Sequence, residues 1–165
     1  MKTWSIISAA LLLSSVFAVE IQVDGDFNDL KRHWSLSSTR NGVVEVIRLD
    51  AVNCVQLASE YNPRGQIGIY TARGIAAKCG DKFTVSADIQ GAPIIISIME
   101  YGDKKFLASQ DKRFENFSSR QNCTAAFTVS NPKTDLVRIS FKVVKGAVAV
   151  VSGVKVYQTS GDNNK

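Results

Sequence analysis

Phe83, Val85, Ala87 and Ile89 alternate with Thr84, Ser86 and Asp88, and residues 137–143 repeat the pattern, setting Val137, Ile139, Phe141 and Val143 against Arg138, Ser140 and Lys142. A period of two turns one set to a core and the other to water, so both segments predict half-buried β-strands. Less regular apolar runs, most of them rich in β-branched or aromatic residues, predict further strands over 43–49, 54–58, 66–72, 94–101, 123–129 and 148–157, with a short one at 21–23. Turn formers separate them: Asp24-Gly25, Asn41-Gly42, Asn62-Pro63-Arg64-Gly65, Cys79-Gly80-Asp81, Gly102-Asp103, Asn131-Pro132 and Lys145-Gly146. Residues 105–121 break the rhythm, because Phe106, Phe114 and Phe117 are too widely spaced in polar sequence, and there one short strand and a loop are expected. About nine strands and no long amphipathic helix predict an all-β chain of two stacked antiparallel sheets, a jelly roll or related sandwich.

The N-terminus follows another logic. Lys2 precedes an apolar run over residues 4–13, and small residues then lead to Val16-Phe17-Ala18. This is the pattern of a secretory signal peptide cleaved after Ala18. The run is short for a bilayer-spanning helix, and an uncleaved anchor is the alternative. The later apolar runs, 93–99 and 147–151, are strand-sized, so no transmembrane segment is expected. The expected organisation is a signal peptide over 1–18, one domain over 19–159 and a short disordered polar tail over 160–165. The destination is extracellular, cell-surface or periplasmic.

Without residues 1–18, 19 basic side chains face 15 acidic ones, a net charge of +4. The basic residues are scattered and lack the aromatic-interleaved stripe of a nucleic-acid binder, although an anionic polysaccharide or cell surface stays open. A chain of this size buries roughly two thirds of its unfolded surface, so its core requires no cofactor. Cys54, Cys79 and Cys123 allow at most one internal disulfide, whose pairing the sequence leaves open. With no CxxC spacing and His33 as the single histidine, a zinc site is not expected.

The order of features resembles carbohydrate-binding modules of the family 4/9/16/22 type, which are galactose-binding-like jelly rolls. Val23-Asp24-Gly25-Asp26-Phe27 followed by Trp34 is similar to their opening. Residues 79–89 are similar to their turn and following strand, while residues 125–129, 136–143 and 154–157 fit their last three strands. The resemblance covers nearly the whole domain and implies a galactose-binding-like sandwich that recognises a polysaccharide or glycan without catalysing its breakdown. Two positions depart from it. The Trp often found before the Phe127 strand is replaced around Arg120 and Gln121, and the acidic pair opening the last strand reads Ser152-Gly153. The second departure bears on a structural calcium ion that the resemblance implies near the first strand. Asp24 and Asp26 are the candidate ligands, although a hard cation needs six or more oxygens and an Asp-Gly turn needs none.

Sugar recognition calls for flat apolar faces against pyranose rings and planar polar groups against hydroxyls. Arg48, Gln56, Tyr70, Tyr101 and Arg138 are expected to project outward from strands, with Trp34 and Tyr61 in loops at the sheet edge. Each has a plain structural alternative: Trp34 as a core residue, and Arg138 with Lys142 as a solvated face. Aromatic residues make up 8% of the chain, too few for an extended stacking platform. A glycosidase needs two carboxylates about 5 to 10 Å apart across a cleft, and Glu45, Glu60, Glu100, Glu115 and Asp88 form no such pair in the sequence. A Ser triad lacks its GxSxG elbow, and only Gln66 with Tyr70 could serve a lyase. The expected function is a non-catalytic, secreted carbohydrate-binding module. A free-standing protein-interaction sandwich is the alternative, and a polysaccharide-active enzyme the least favoured reading.

Overall fold

The computed structural model describes residues 18–36, 42–59, 67–115 and 117–161. The signal-peptide reading over residues 1–17, the loop residue Tyr61 and most of the C-terminal tail lie outside these segments. Within them the chain forms twelve strands and a single four-residue helix.

The strands are β1 (Ala18–Ile21), β2 (Trp34–Leu36), β3 (Gly42–Leu49), β4 (Val52–Ser59), β5 (Ile67–Thr71), β6 (Ile75–Ala76), β7 (Lys82–Gly91), β8 (Ile94–Gly102), β9 (Lys105–Phe114), β10 (Phe117–Thr128), β11 (Leu136–Val143) and β12 (Val148–Thr159), with helix α1 (Leu30–His33) between β1 and β2. They build two six-stranded antiparallel sheets. The first runs β10-β7-β12-β4-β3, with β1 on β12; the second runs β2-β5-β11-β8-β9, with β6 on β11. This is the jelly-roll sandwich expected from the sequence.

The alternation read from sequence sets the faces. Phe83, Val85, Ala87 and Ile89 of β7 and Val137, Ile139, Phe141 and Val143 of β11 are all buried in the core between the sheets. Ile94, Ile96 and Ile98 of β8 and Ala149, Val151, Val154 and Val156 of β12 join them. In β12 the inward phase shifts from odd to even positions because the pairing with β7 slips between Ser152 and Lys155, where Gly153 takes φ 57°. The extra residue of such a bulge lets apolar side chains on both sides of it face the same core.

Three sequence expectations need correction. Residues 105–121 hold the ten-residue β9 and the start of the twelve-residue β10 rather than one short strand and a loop. Both are edge strands, so one face and one side meet water and their sequences carry little hydrophobic signal. The first strand pairs over Ala18–Ile21, earlier than the expected 21–23. Trp34 opens a strand paired with Thr71 instead of lying in a loop.

Two hairpins close with two-residue loops whose central residues have positive φ, Asp50 and Ala51 between β3 and β4, and Asp103 and Lys104 between β8 and β9. That is the twist-compatible form of a tight hairpin, which usually uses Asn-Gly or Asp-Gly.

Candidate functional site: the outer face of the second sheet

Strand alternation puts the odd positions of β8 and the even positions of β11 on the outer face of the second sheet. The register sets Tyr70 of β5 opposite Ser140, Arg138 opposite Met99, and Leu136 opposite Tyr101, which itself faces Phe106 of β9. Arg138 is therefore diagonal to a tyrosine on each side. Its guanidinium carbon lies 5.3 Å from the centre of the Tyr70 ring and 5.6 Å from that of Tyr101, within range of a cation–π attraction to both. Tyr101 meets Phe106 edge to face at 5.8 Å, and Phe106 is 57% exposed. A row of three rings and a guanidinium thus crosses four strands.

The polar groups around this row are unevenly satisfied. Lys142 pairs with Asp111 at 3.6 Å, and Arg113 pairs with Glu115 at 3.3 Å. Arg138 Nε is buried and has no hydrogen-bond partner, and neither has the hydroxyl of Ser97, two residues from Met99 in the same outward phase. The Tyr101 hydroxyl lies 4.0 Å from Met99 Sδ, a weak contact.

Directly behind the row, Glu100 points inward and is fully buried. Its carboxylate accepts hydrogen bonds from the Asn131 N–H at 2.9 Å, the Ser130 N–H at 3.2 Å, the hydroxyls of Thr134 at 2.8 Å and Ser130 at 3.1 Å, and the Gln110 side chain at 3.0 Å. Burial pushes its pKa up, but the bonds from Asn131, Thr134, Ser130 and Gln110 outweigh it and hold the carboxyl below its ordinary value. Glu100 thereby ties the loop after β10 to β8, next to Tyr101.

The other sequence candidates do not join the row. Trp34 is 2% exposed, with its indole N–H donating to the Asp24 carbonyl at 3.0 Å and its ring packed against Phe27 and Phe141 at 5.6 and 6.0 Å. It has no free face for a ligand, so its expected contact role is corrected to a core role. Gln56 and Arg48 belong to the first sheet. Gln56 donates to Glu45 at 3.2 Å across the β3–β4 pair, and Arg48 lines an open cleft of about 410 Å³ with Asp26, Asn28 and Asn53. Of the six expected contacts that lie within the described residues, Tyr70, Tyr101 and Arg138 come together; Phe106, Met99 and Ser97 were missed. Counting back in twos from Tyr101 would have reached Met99 and Ser97, whereas Phe106 sits in the edge strand that was read as irregular.

In the first turn Asp24 caps backbone donors. The Asp24 carboxylate accepts the N–H groups of Asn28 at 3.0 Å and Asp29 at 2.7 Å, one on each oxygen. Asp26 shares its cleft with the cationic Arg48. No group of three or more metal-ligating His, Cys, Asp or Glu side chains occurs among the described residues. The three cysteines are unbridged, Cys54 and Cys123 buried and Cys79 exposed. No helix among the described residues is long and apolar enough to cross a membrane.

No family model matches the chain, and no curated protein does. Solved structures do. The family 11 carbohydrate-binding module from Clostridium thermocellum, solved with a β-1,3-1,4-mixed-linked tetrasaccharide, superposes with a TM-score of 0.60 at 14% identity, over 90% of this chain and 98% of that one. The CBM22-2 xylan-binding domain of Paenibacillus barcinonensis Xyn10C gives 0.54 at 12% identity, over 85% and 97%. The enzymatically active domain of bacteriophage CBA120 tailspike protein 4 gives 0.58 at 17% identity over 80% of this chain, which spans only 20% of that longer one. The jelly-roll fold that the sequence resembled, that of carbohydrate-binding modules, is the fold this chain has.

Proposed function

We propose that the chain is an exported, non-catalytic glycan-binding sandwich that takes a sugar chain across the outer face of its second sheet. The observation that carries this reading is the row Tyr70, Arg138, Tyr101 and Phe106, three rings beside a planar polar group, with both tyrosines partly exposed and Phe106 57% exposed. The shared fold of modules described as binding mixed-linked glucan and xylan supports it. Binding without catalysis is supported by the state of the nearby carboxylates: Glu100 is buried and held ionised, and Asp111 is paired with Lys142. Glu100, its pKa lowered and its oxygens taken by donors inside the sandwich, is not the raised-pKa carboxyl facing a partner across a cleft that glycoside hydrolysis needs. Export is supported by the N-terminal apolar run and its small-residue cleavage pattern.

A protein-interaction sandwich is the second reading, favoured by one feature of the first sheet. Val43 and Val148, 50% and 49% exposed, flank Ala58 from the two neighbouring strands. Retention of the chain from Val19 on soluble and insoluble polysaccharides, compared with a Tyr101→Ala variant, separates the two. Loss in that variant supports the sugar site, and no retention of either protein overturns it.

A further inference from the structure

We infer that the glycan bound on this face is anionic, carrying a uronic-acid carboxylate or a sulfate ester, and that Arg138 holds its negative group; the inference rests on the reading of the second sheet's outer face as the sugar site. The charges on the face lead there. Lys142 has Asp111, and Arg113 has Glu115. Arg138, in the centre of the aromatic row, forms no salt bridge among the described residues, and its Nε is shut off from water without a hydrogen-bond partner. What holds it is the pair of tyrosine rings, which fix the guanidinium against the sheet but do not neutralise it.

A sugar ring laid over Tyr70 and Tyr101 removes the remaining water from Arg138. Covered by a neutral sugar, the guanidinium becomes a desolvated charge with no counter-charge, which is costly. Covered by a ring bearing a carboxylate or sulfate, it gains charge-assisted hydrogen bonds from a planar donor fork that suits such oxygens. A neutral ligand would be served better at that position by an amide side chain. The rings also reduce the conformational freedom the side chain has to lose on binding.

Matched ligands test this. Calorimetry compares tetragalacturonate with its methyl ester, the same sugar chain without the charges, alongside a sulfated galactan oligosaccharide and a neutral β-glucan oligosaccharide. The expected result is that the galacturonate or the sulfated chain binds at least about tenfold more tightly than the ester and the glucan, the size of a charge-assisted bond. That advantage disappears in Arg138→Gln, survives in part in Arg138→Lys, and shrinks as salt rises from about 0.05 to about 0.5 M. Which of the two anionic ligands is favoured identifies the group as carboxylate or sulfate. Should Arg138→Gln not fold, the Lys variant and the salt series on the unaltered chain decide. Equal or tighter binding of the ester or the neutral glucan overturns the inference and leaves the sugar site standing. Failure of all four ligands and of the polysaccharides to bind overturns the sugar site itself, and the inference with it.

Discussion

Replacing Glu100 by Gln isolates one buried group on which the site's backing depends. The substitution keeps size and one carbonyl oxygen, but it removes the charge and turns an NH2 toward groups that are themselves donors. Five donor contacts converge on the carboxylate, four of them from the loop between β10 and β11, through Ser130, Asn131 and Thr134. Hydrogen bonds to charged groups contribute about 1.5 to 3 kcal/mol each, and breaking a buried charged network costs about 3 to 5 kcal/mol in total. A loss of about 3 kcal/mol of unfolding free energy at neutral pH is therefore expected for Glu100→Gln. The pH dependence follows from the direction of the shift. The folded-state pKa is lowered, so the native carboxylate contributes stability that is present above the unfolded-state value and is lost as pH falls through it toward the folded value. The unaltered chain should lose stability more steeply than the variant does as pH falls below the unfolded-state glutamate value of about 4.3. Urea titration followed by tryptophan fluorescence reads both quantities, since Trp34 is the only tryptophan after residue 18 and is buried. A variant as stable as the parent, with the same acid slope, would refute the reasoning.

Other consequences are independent of that network. Ala51 sits at φ 64°, a left-handed conformation costly for a residue with a Cβ, so Ala51→Gly should raise the urea midpoint by an amount equivalent to about 0.5 to 1 kcal/mol. In the native chain Cys79 should be alkylated by iodoacetamide, whereas Cys54 and Cys123 should react only after unfolding. Burial, and secondarily the charge of Asp88, push the Cys123 thiol up and disfavour its reactive thiolate. With both Asp24 oxygens engaged by backbone donors, excess calcium and chelator should give the same melting midpoint, and a rise with calcium would restore the cation site to Asp24 and Asp26.

The fold was largely legible because its central strands alternate. In β7 and β11 one side chain in two enters the core, and that periodicity survives in the sequence without help from neighbours. It fails where geometry changes without a matching residue signal. The edge strands β9 and β10 need no continuous apolar face, and the Asp50-Ala51 hairpin lacks the glycine that marks such turns. The candidate site was half legible. Tyr70, Tyr101 and Arg138 could be placed on outward positions, but their convergence depends on β5, β11 and β8 being adjacent, which long-range pairing decides. Trp34 was ambiguous for a related reason. An indole offers the same chemistry to a sugar and to a core, and here contacts with Phe27 and Phe141 from other parts of the chain settle its place.

The central claim is that the second sheet, and not the first, binds a glycan. Affinity electrophoresis of the chain from Val19 through gels containing neutral, uronate and sulfated polysaccharides tests it, using four variants whose melting midpoints are recorded alongside. Tyr70→Ala and Tyr101→Ala should each weaken retardation by about tenfold, as removal of a stacking ring does, while Arg48→Ala and Gln56→Ala on the first sheet should match the parent. Retardation abolished by the first-sheet variants, or unchanged by both tyrosine variants, would contradict it.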